Sequence, residues 1–155
     1  MELKTNVHAE DGKQELIITR HFDLPVELLF KAYTIPELVE QWMGNKVLKM
    51  DNHAHGGWQF EVHDPAGKVV FSATGSIHDI VPNQKITRTF QIENSPFDAQ
   101  LEFLEFEPLT DTTSLFTMHI IYRSAALRDQ ALQMGMGRGM AMAHNRLQNI
   151  MNNLK

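Results

Sequence analysis

The closing stretch of the chain, residues 124–155, limits the available folds more than any other segment. Met136, Met140, Ala143, Leu147, Ile150 and Leu154 recur there at three- and four-residue spacing, the signature of one apolar helix face. His144 and Met151 flank that stripe, while Arg138, Asn145, Gln148, Asn149 and Asn152 fall on the other side. Read as one helix, the segment makes about seven or eight turns. A helix that long with a single apolar face needs a broad apolar surface to lie on, and a sheet supplies one.

Residues 46–123 carry the sheet. Trp58, Phe60 and Val62 alternate with Gln59, Glu61 and His63, as in a strand with one buried face. Asp64-Pro65-Ala66-Gly67 is a tight turn into a long strand over Val69–Val81, with a bulge or bend expected at Gly75. Pro82-Asn83-Gln84 leads into a strand over 85–93, Asn94-Ser95-Pro96 into one over 99–107, and residues 108–111 into one over 112–123. Connections this short suit antiparallel hairpins, because parallel strands need crossovers of about a dozen residues or more.

Ahead of this meander, residues 14–22 read as a strand through Leu16, Ile17, Ile18 and Phe22. Asp23 and Pro25 then resemble a helix start, and Val26, Leu29, Phe30 and Tyr33 share one helical face. Thr34 and Glu37 stand at capping-box spacing around Pro36, before a second short helix with Leu38, Val39 and Trp42 on its apolar side. The expected order is β-α-α-β6-α, an α+β layered fold with an antiparallel sheet of about seven strands under a long C-terminal helix.

A chain of 155 residues fits one domain, 1–155, with a core of about 14–154. It has no cysteine, which excludes disulfides, thiolate metal sites and cysteine nucleophiles. Its 14 basic and 19 acidic residues are scattered and give a net charge of −5, so no basic face exists to hold nucleic acid. No apolar run approaches the ~20 residues of a membrane span. Residues 1–12 lack the basic start and apolar core of a secretory signal, so a cytoplasmic location is expected.

Several motifs resemble a known family. The run Ile18-Thr19-Arg20-His21-Phe22 into Asp23-Leu24-Pro25-Val26-Glu27 is similar to the opening of the activator of heat-shock-protein-90 ATPase homologue-like group, within the START-like (SRPBCC, helix-grip) superfamily. Gln41-Trp42-Met43-Gly44, the Gly56-Gly57 pair, Gly75 with Val81-Pro82, and the helix from Gly139-Met140 to Leu147 resemble the same group. The resemblance implies a curved sheet gripping the long helix, with a cavity between them. Superfamily members bind lipids, hormones or polyketides, and a few catalyse reactions on them. Met43 and Met140 stand where the group often has tryptophan, which replaces rigid rings with adaptable thioethers.

Five of the nine methionines, Met134, Met136, Met140, Met142 and Met151, lie in the last helix, either as core filling or as a soft pocket wall. Gly135, Gly137 and Gly139 beside them suggest a flexible or kinked entrance to the helix, or close packing of its backbone on the sheet. They do not form G-x-G-x-x-G, and no cofactor is expected. His53 and His55, with Asp51, His63 and Asp64 nearby, fix no third ligand, so no metal is expected either.

His78, His119 and His144 fall in elements expected to be partly buried, where each is a structural core histidine or a base that orients a ligand. Arg88 shares the parity of Ile86, Phe90 and Ile92. On the concave face it would need a carboxylate, from a ligand or from Glu102 or Glu105; on the convex face it would be a surface residue. No Ser-His-Asp set, G-x-S-x-G elbow or spaced carboxylate pair stands out.

The leading expectation is binding of a small hydrophobic or aromatic molecule by Trp42, Trp58, Phe60, Phe71, Arg88, Phe90, Met136, Met140 and His144. The alternatives are a cyclase- or hydratase-like enzyme using His144, His119 or Arg88, and a co-chaperone-like interaction module. A homodimer is compatible with any of these.

Overall fold

The computed structural model describes residues 2–155. Strands β1 (Thr5–His8) and β2 (Glu15–Phe22) precede helices α1 (Val26–Thr34) and α2 (Pro36–Met43). Strands β3 (Lys46–Met50), β4 (Gly57–His63), β5 (Val69–Val81), β6 (Lys85–Ile92), β7 (Gln100–Pro108) and β8 (Ser114–Ile121) follow, then helices α3 (Ala125–Gln133) and α4 (Met136–Asn152). All eight strands form one sheet in the order β1-β2-β8-β7-β6-β5-β4-β3, with every pairing antiparallel. Helices α1 and α2 connect β2, next to one edge of the sheet, to β3 at the other. The α+β class and the six-strand meander are as the sequence implies.

Two features depart from the sequence reading. Thr5–His8 adds an eighth strand, paired on β2. It is short and polar, so no alternation announces it, and it forms because β2 offers an edge to pair with. The C-terminal segment is two helices: Ser124 caps α3 by accepting from the Leu127 amide, and the chain breaks at Gly135, whose φ of +86° suits a residue without a side chain.

The two expected side-chain caps near the first helices do not form. Neither α1 nor α2 has a side-chain cap, and each begins after an extended residue, Pro25 and Ile35 respectively. The Asp23 amide donates to Gln148 Oε1 at 2.9 Å, and Thr34 Oγ1 donates back to the Phe30 carbonyl at 2.9 Å. Gln148 is thereby buried rather than solvated.

The inner sheet face follows the pleat. Leu16, Ile18 and Phe22 of β2, Phe116, Met118 and Ile120 of β8, and Leu104 and Phe106 of β7 pack against Leu29, Phe30 and Tyr33 of α1 and Leu147 and Met151 of α4. A second, smaller cluster, Trp58, Phe60, Ala73 and Ile77, sits on β4 and β5. The gap between these two clusters holds the candidate site.

Candidate functional site

That gap is a cavity of about 440 Å³. Trp58, Phe60 and Val62 of β4, Phe71 of β5 and Phe90 and Ile92 of β6 form one wall. Met136, Gly139, Met140 and Ala143 of α4 face them, with Met134 and Gly135 at the joint between helices. Trp42 and Met43 of α2, Tyr33 of α1 and Tyr122 after β8 close the space. Both positions where methionine replaces the group's tryptophan, Met43 and Met140, lie in this lining.

Gly75 organises the aromatic wall. A Cβ there would meet the Thr89 carbonyl oxygen and the Trp58 indole nitrogen well inside contact distance. With no side chain at 75, Trp58 Nε1 crosses the strand and donates to the Thr89 carbonyl at 3.0 Å. The expected bulge is not at Gly75, which pairs with Trp58, but between Ile77 and Asp79. So fixed, the Trp58 ring stands 5.5 Å from Phe60 and 5.7 Å from Phe90.

Arg88 enters from β6 on this concave face. Register places it directly opposite Glu102 on β7, and its Nε donates to Glu102 Oε1 at 2.9 Å. Glu105, the other candidate partner, is exposed and lies opposite Lys85. The other Glu102 oxygen accepts from Gln100 Nε2 at 2.8 Å. The guanidinium lies 4.2 Å from the Trp58 ring centroid, a cation–π contact shielded from solvent. A slip of one residue between β6 and β7 would turn Arg88 to the outer face.

Burial raises the Tyr33 and Tyr122 phenols well above the usual tyrosine range, with Glu102 reinforcing the effect in both and Arg88 opposing it at Tyr33. Both hydroxyls therefore stay protonated at any ordinary pH.

The structure brings Trp42, Trp58, Phe60, Phe71, Arg88, Phe90, Met136 and Met140 around one cavity. His144 is not among them. It is fully buried in the solid core, edge-on to Phe22 at 5.5 Å and Phe116 at 5.6 Å. Its stripe position reported burial correctly, but at that turn α4 lies on filled core rather than on the gap. Burial, with the nearby Arg20 charge, holds its pKa down to about 3, so it stays neutral.

His119 lies outside the cavity lining, pairing with Glu15 at 2.7 Å. Of the three catalytic candidates only Arg88 touches the cavity. Tyr122 and Gln100 line the cavity without having been singled out from sequence. Tyr122 continues the inward parity of Phe116, Met118 and Ile120, and Gln100 sits two residues before Glu102; these were the available signals.

His53 and His55 lie in the exposed loop after β3, where His55 takes a φ of +69°, and His63 pairs with Glu61. A second hollow of about 540 Å³ is lined by Phe30, Thr34, Asn52, His53, Ala54, Ile80 and Pro82. It contains no buried ion pair and is walled partly by that exposed loop.

A curved antiparallel sheet that leaves a cavity against its C-terminal helix defines the helix-grip class. The family model for activator of Hsp90 ATPase homolog 1-like protein matches residues 23–152, and the chain belongs to that family. No curated protein matches. Among solved structures, a Mycobacterium smegmatis protein is similar at 21% identity with a TM-score of 0.84, covering 95% of this chain and 96% of that one. A Rhodobacter sphaeroides protein is similar at 20% identity and a TM-score of 0.83, covering 97% and 100%. CalU16 from Micromonospora echinospora is similar at 19% identity and a TM-score of 0.66, covering 95% and 81%. These likenesses concern the fold. No helix among the described residues is long and apolar enough to cross a membrane.

Proposed function

We propose that the protein binds a small apolar or aromatic molecule in the cavity between β4–β6 and α4, without acting on it chemically. The observation that carries this reading is the cavity itself: about 440 Å³ walled by aromatic rings and methionines around a single buried ion pair. Ligand sites are typically mostly apolar, with a few placed polar groups and a volume of about 300–1,000 Å³. Family membership supports the same reading, because the superfamily includes binders of lipids and other hydrophobic molecules. Adaptable thioethers at 43, 134, 136 and 140 allow the wall to re-pack around a guest.

The test is native mass spectrometry on protein purified from its host, with a dye-displacement titration alongside. A co-purified small molecule and saturable dye binding are expected. Absence of both would remove the binding role.

A further inference from the structure

The polar floor of the cavity carries an imbalance that a ligand must answer. Glu102, 3% exposed, has both carboxylate oxygens engaged, one by Arg88 Nε and one by Gln100 Nε2. The terminal nitrogens of Arg88 have no acceptor among the described residues, and the hydroxyls of Tyr33 and Tyr122 have no hydrogen-bond partner there either. Apart from the phenol oxygens themselves, the amide oxygen of Gln100 is the one side-chain acceptor left free on this floor. Donors exceed acceptors, and these groups face the cavity, where water or a guest that enters it must meet them.

We infer that the ligand is a neutral molecule with an aromatic or alicyclic body and a carbonyl-type oxygen, and that this oxygen accepts hydrogen bonds from Arg88 and from Tyr33 or Tyr122. This rests on the reading that the cavity takes a ligand. Neutrality follows from the charges on the floor. Arg88 is already balanced by Glu102 at 2.9 Å, and Arg146, the other cation of the lining, is exposed with its Nε donating to the Trp42 carbonyl at 3.0 Å, so a carboxylate ligand aimed at Arg88 would bring a second negative charge beside Glu102. A carbonyl oxygen offers two lone pairs and no net charge. The body of the guest would stack along Trp58, Phe60 and Phe90, whose rings lie within 5.5–6.1 Å of one another.

Three probes with nearly the same body separate these ideas: benzophenone, diphenylmethane and diphenylacetate. The only two tryptophans, Trp42 and Trp58, both line the cavity, so intrinsic fluorescence reports occupancy directly. Benzophenone is expected to bind about tenfold or more tightly than diphenylmethane, and more tightly than diphenylacetate. In the Y33F/Y122F double variant, which keeps both rings, the preference for benzophenone over diphenylmethane should narrow.

Equal binding of all three probes would overturn the head-group assignment and leave the cavity reading standing. Tightest binding of diphenylacetate would overturn neutrality. An unchanged preference in Y33F/Y122F would remove the phenols from the site. No saturable binding of any probe would overturn the cavity reading on which the inference rests.

Discussion

The hydroxyl of Thr5 and Nδ1 of His144 lie 2.7 Å apart in the core, joining the first strand to the last helix across 139 residues of sequence. Arg20 Nη1 donates to the same hydroxyl at 3.4 Å and to Asn145 Oδ1 at 2.9 Å. Nε2 of the same imidazole has no hydrogen-bond partner, and the ring stands edge-on to Phe22 and Phe116.

Thr5→Val keeps the shape of the side chain and deletes this link. It leaves a buried imidazole nitrogen unmet, so a loss of about 1–3 kcal/mol is expected in urea denaturation. Probe binding should be unaffected, because neither residue lines the cavity. A variant as stable as the parent would mean that the link contributes nothing.

His144 also sets a pH dependence. Its folded pKa is about 3, against an ordinary value of 6.5. Above pH 6.5 both folded and unfolded chains carry it neutral, and its contribution to stability is fully present. Below that, the unfolded chain takes up a proton that the folded chain refuses until about pH 3, so stability falls by ~1.4 kcal/mol per pH unit from this group. Denaturation of the parent and of His144→Leu at pH 7 and pH 4.5 should show a steeper acid loss in the parent. Parallel losses would exclude His144 as the cause.

Arg88 and Glu102 should be strongly coupled. Arg88→Met strands a buried carboxylate and is expected to cost about 3–5 kcal/mol. The double variant R88M/E102Q removes both charges and should recover much of that loss. A double-mutant cycle by chemical denaturation measures the coupling. Simple additivity of the two single changes would contradict the burial and pairing described.

Gly75→Ala tests the aromatic wall. The added methyl must displace the Trp58 indole or the Thr89 carbonyl, so a loss of about 1–3 kcal/mol and a shifted tryptophan emission are expected. Unchanged emission and stability would show that Trp58 does not depend on the gap at 75.

Met140→Trp tests the cavity from the helix side. A rigid indole in place of a thioether fills space, so binding of a bulky fluorescent dye should weaken by about tenfold or more with little change in stability. Undiminished binding would place the dye elsewhere.

Much of the architecture was legible because it depends on neighbours in sequence. Alternation at Trp58, Phe60 and Val62 and the short turns located the strands, and the parity of Ile86, Arg88, Phe90 and Ile92 placed these residues on one face. The concave orientation of Arg88 was open until Glu102 appeared directly across from it. Strand Thr5–His8 was hidden because its pairing partner, not its own composition, makes it a strand. Asp23 and Thr34 carry the right atoms for caps, yet tertiary partners and local backbone geometry direct them elsewhere.

His144 marks the limit most clearly. A helical stripe records which side of α4 is shielded from water, and Met140, His144 and Leu147 all belong to that side. Whether the shielded space holds protein atoms or a void is decided by residues brought in from β2, β4, β6 and β8, far away in the chain. Periodicity therefore determined the elements and their buried faces. Only the packing of the sheet against α4 could decide that Met140 borders a cavity while His144, one turn further on, is sealed against Phe22 and Phe116.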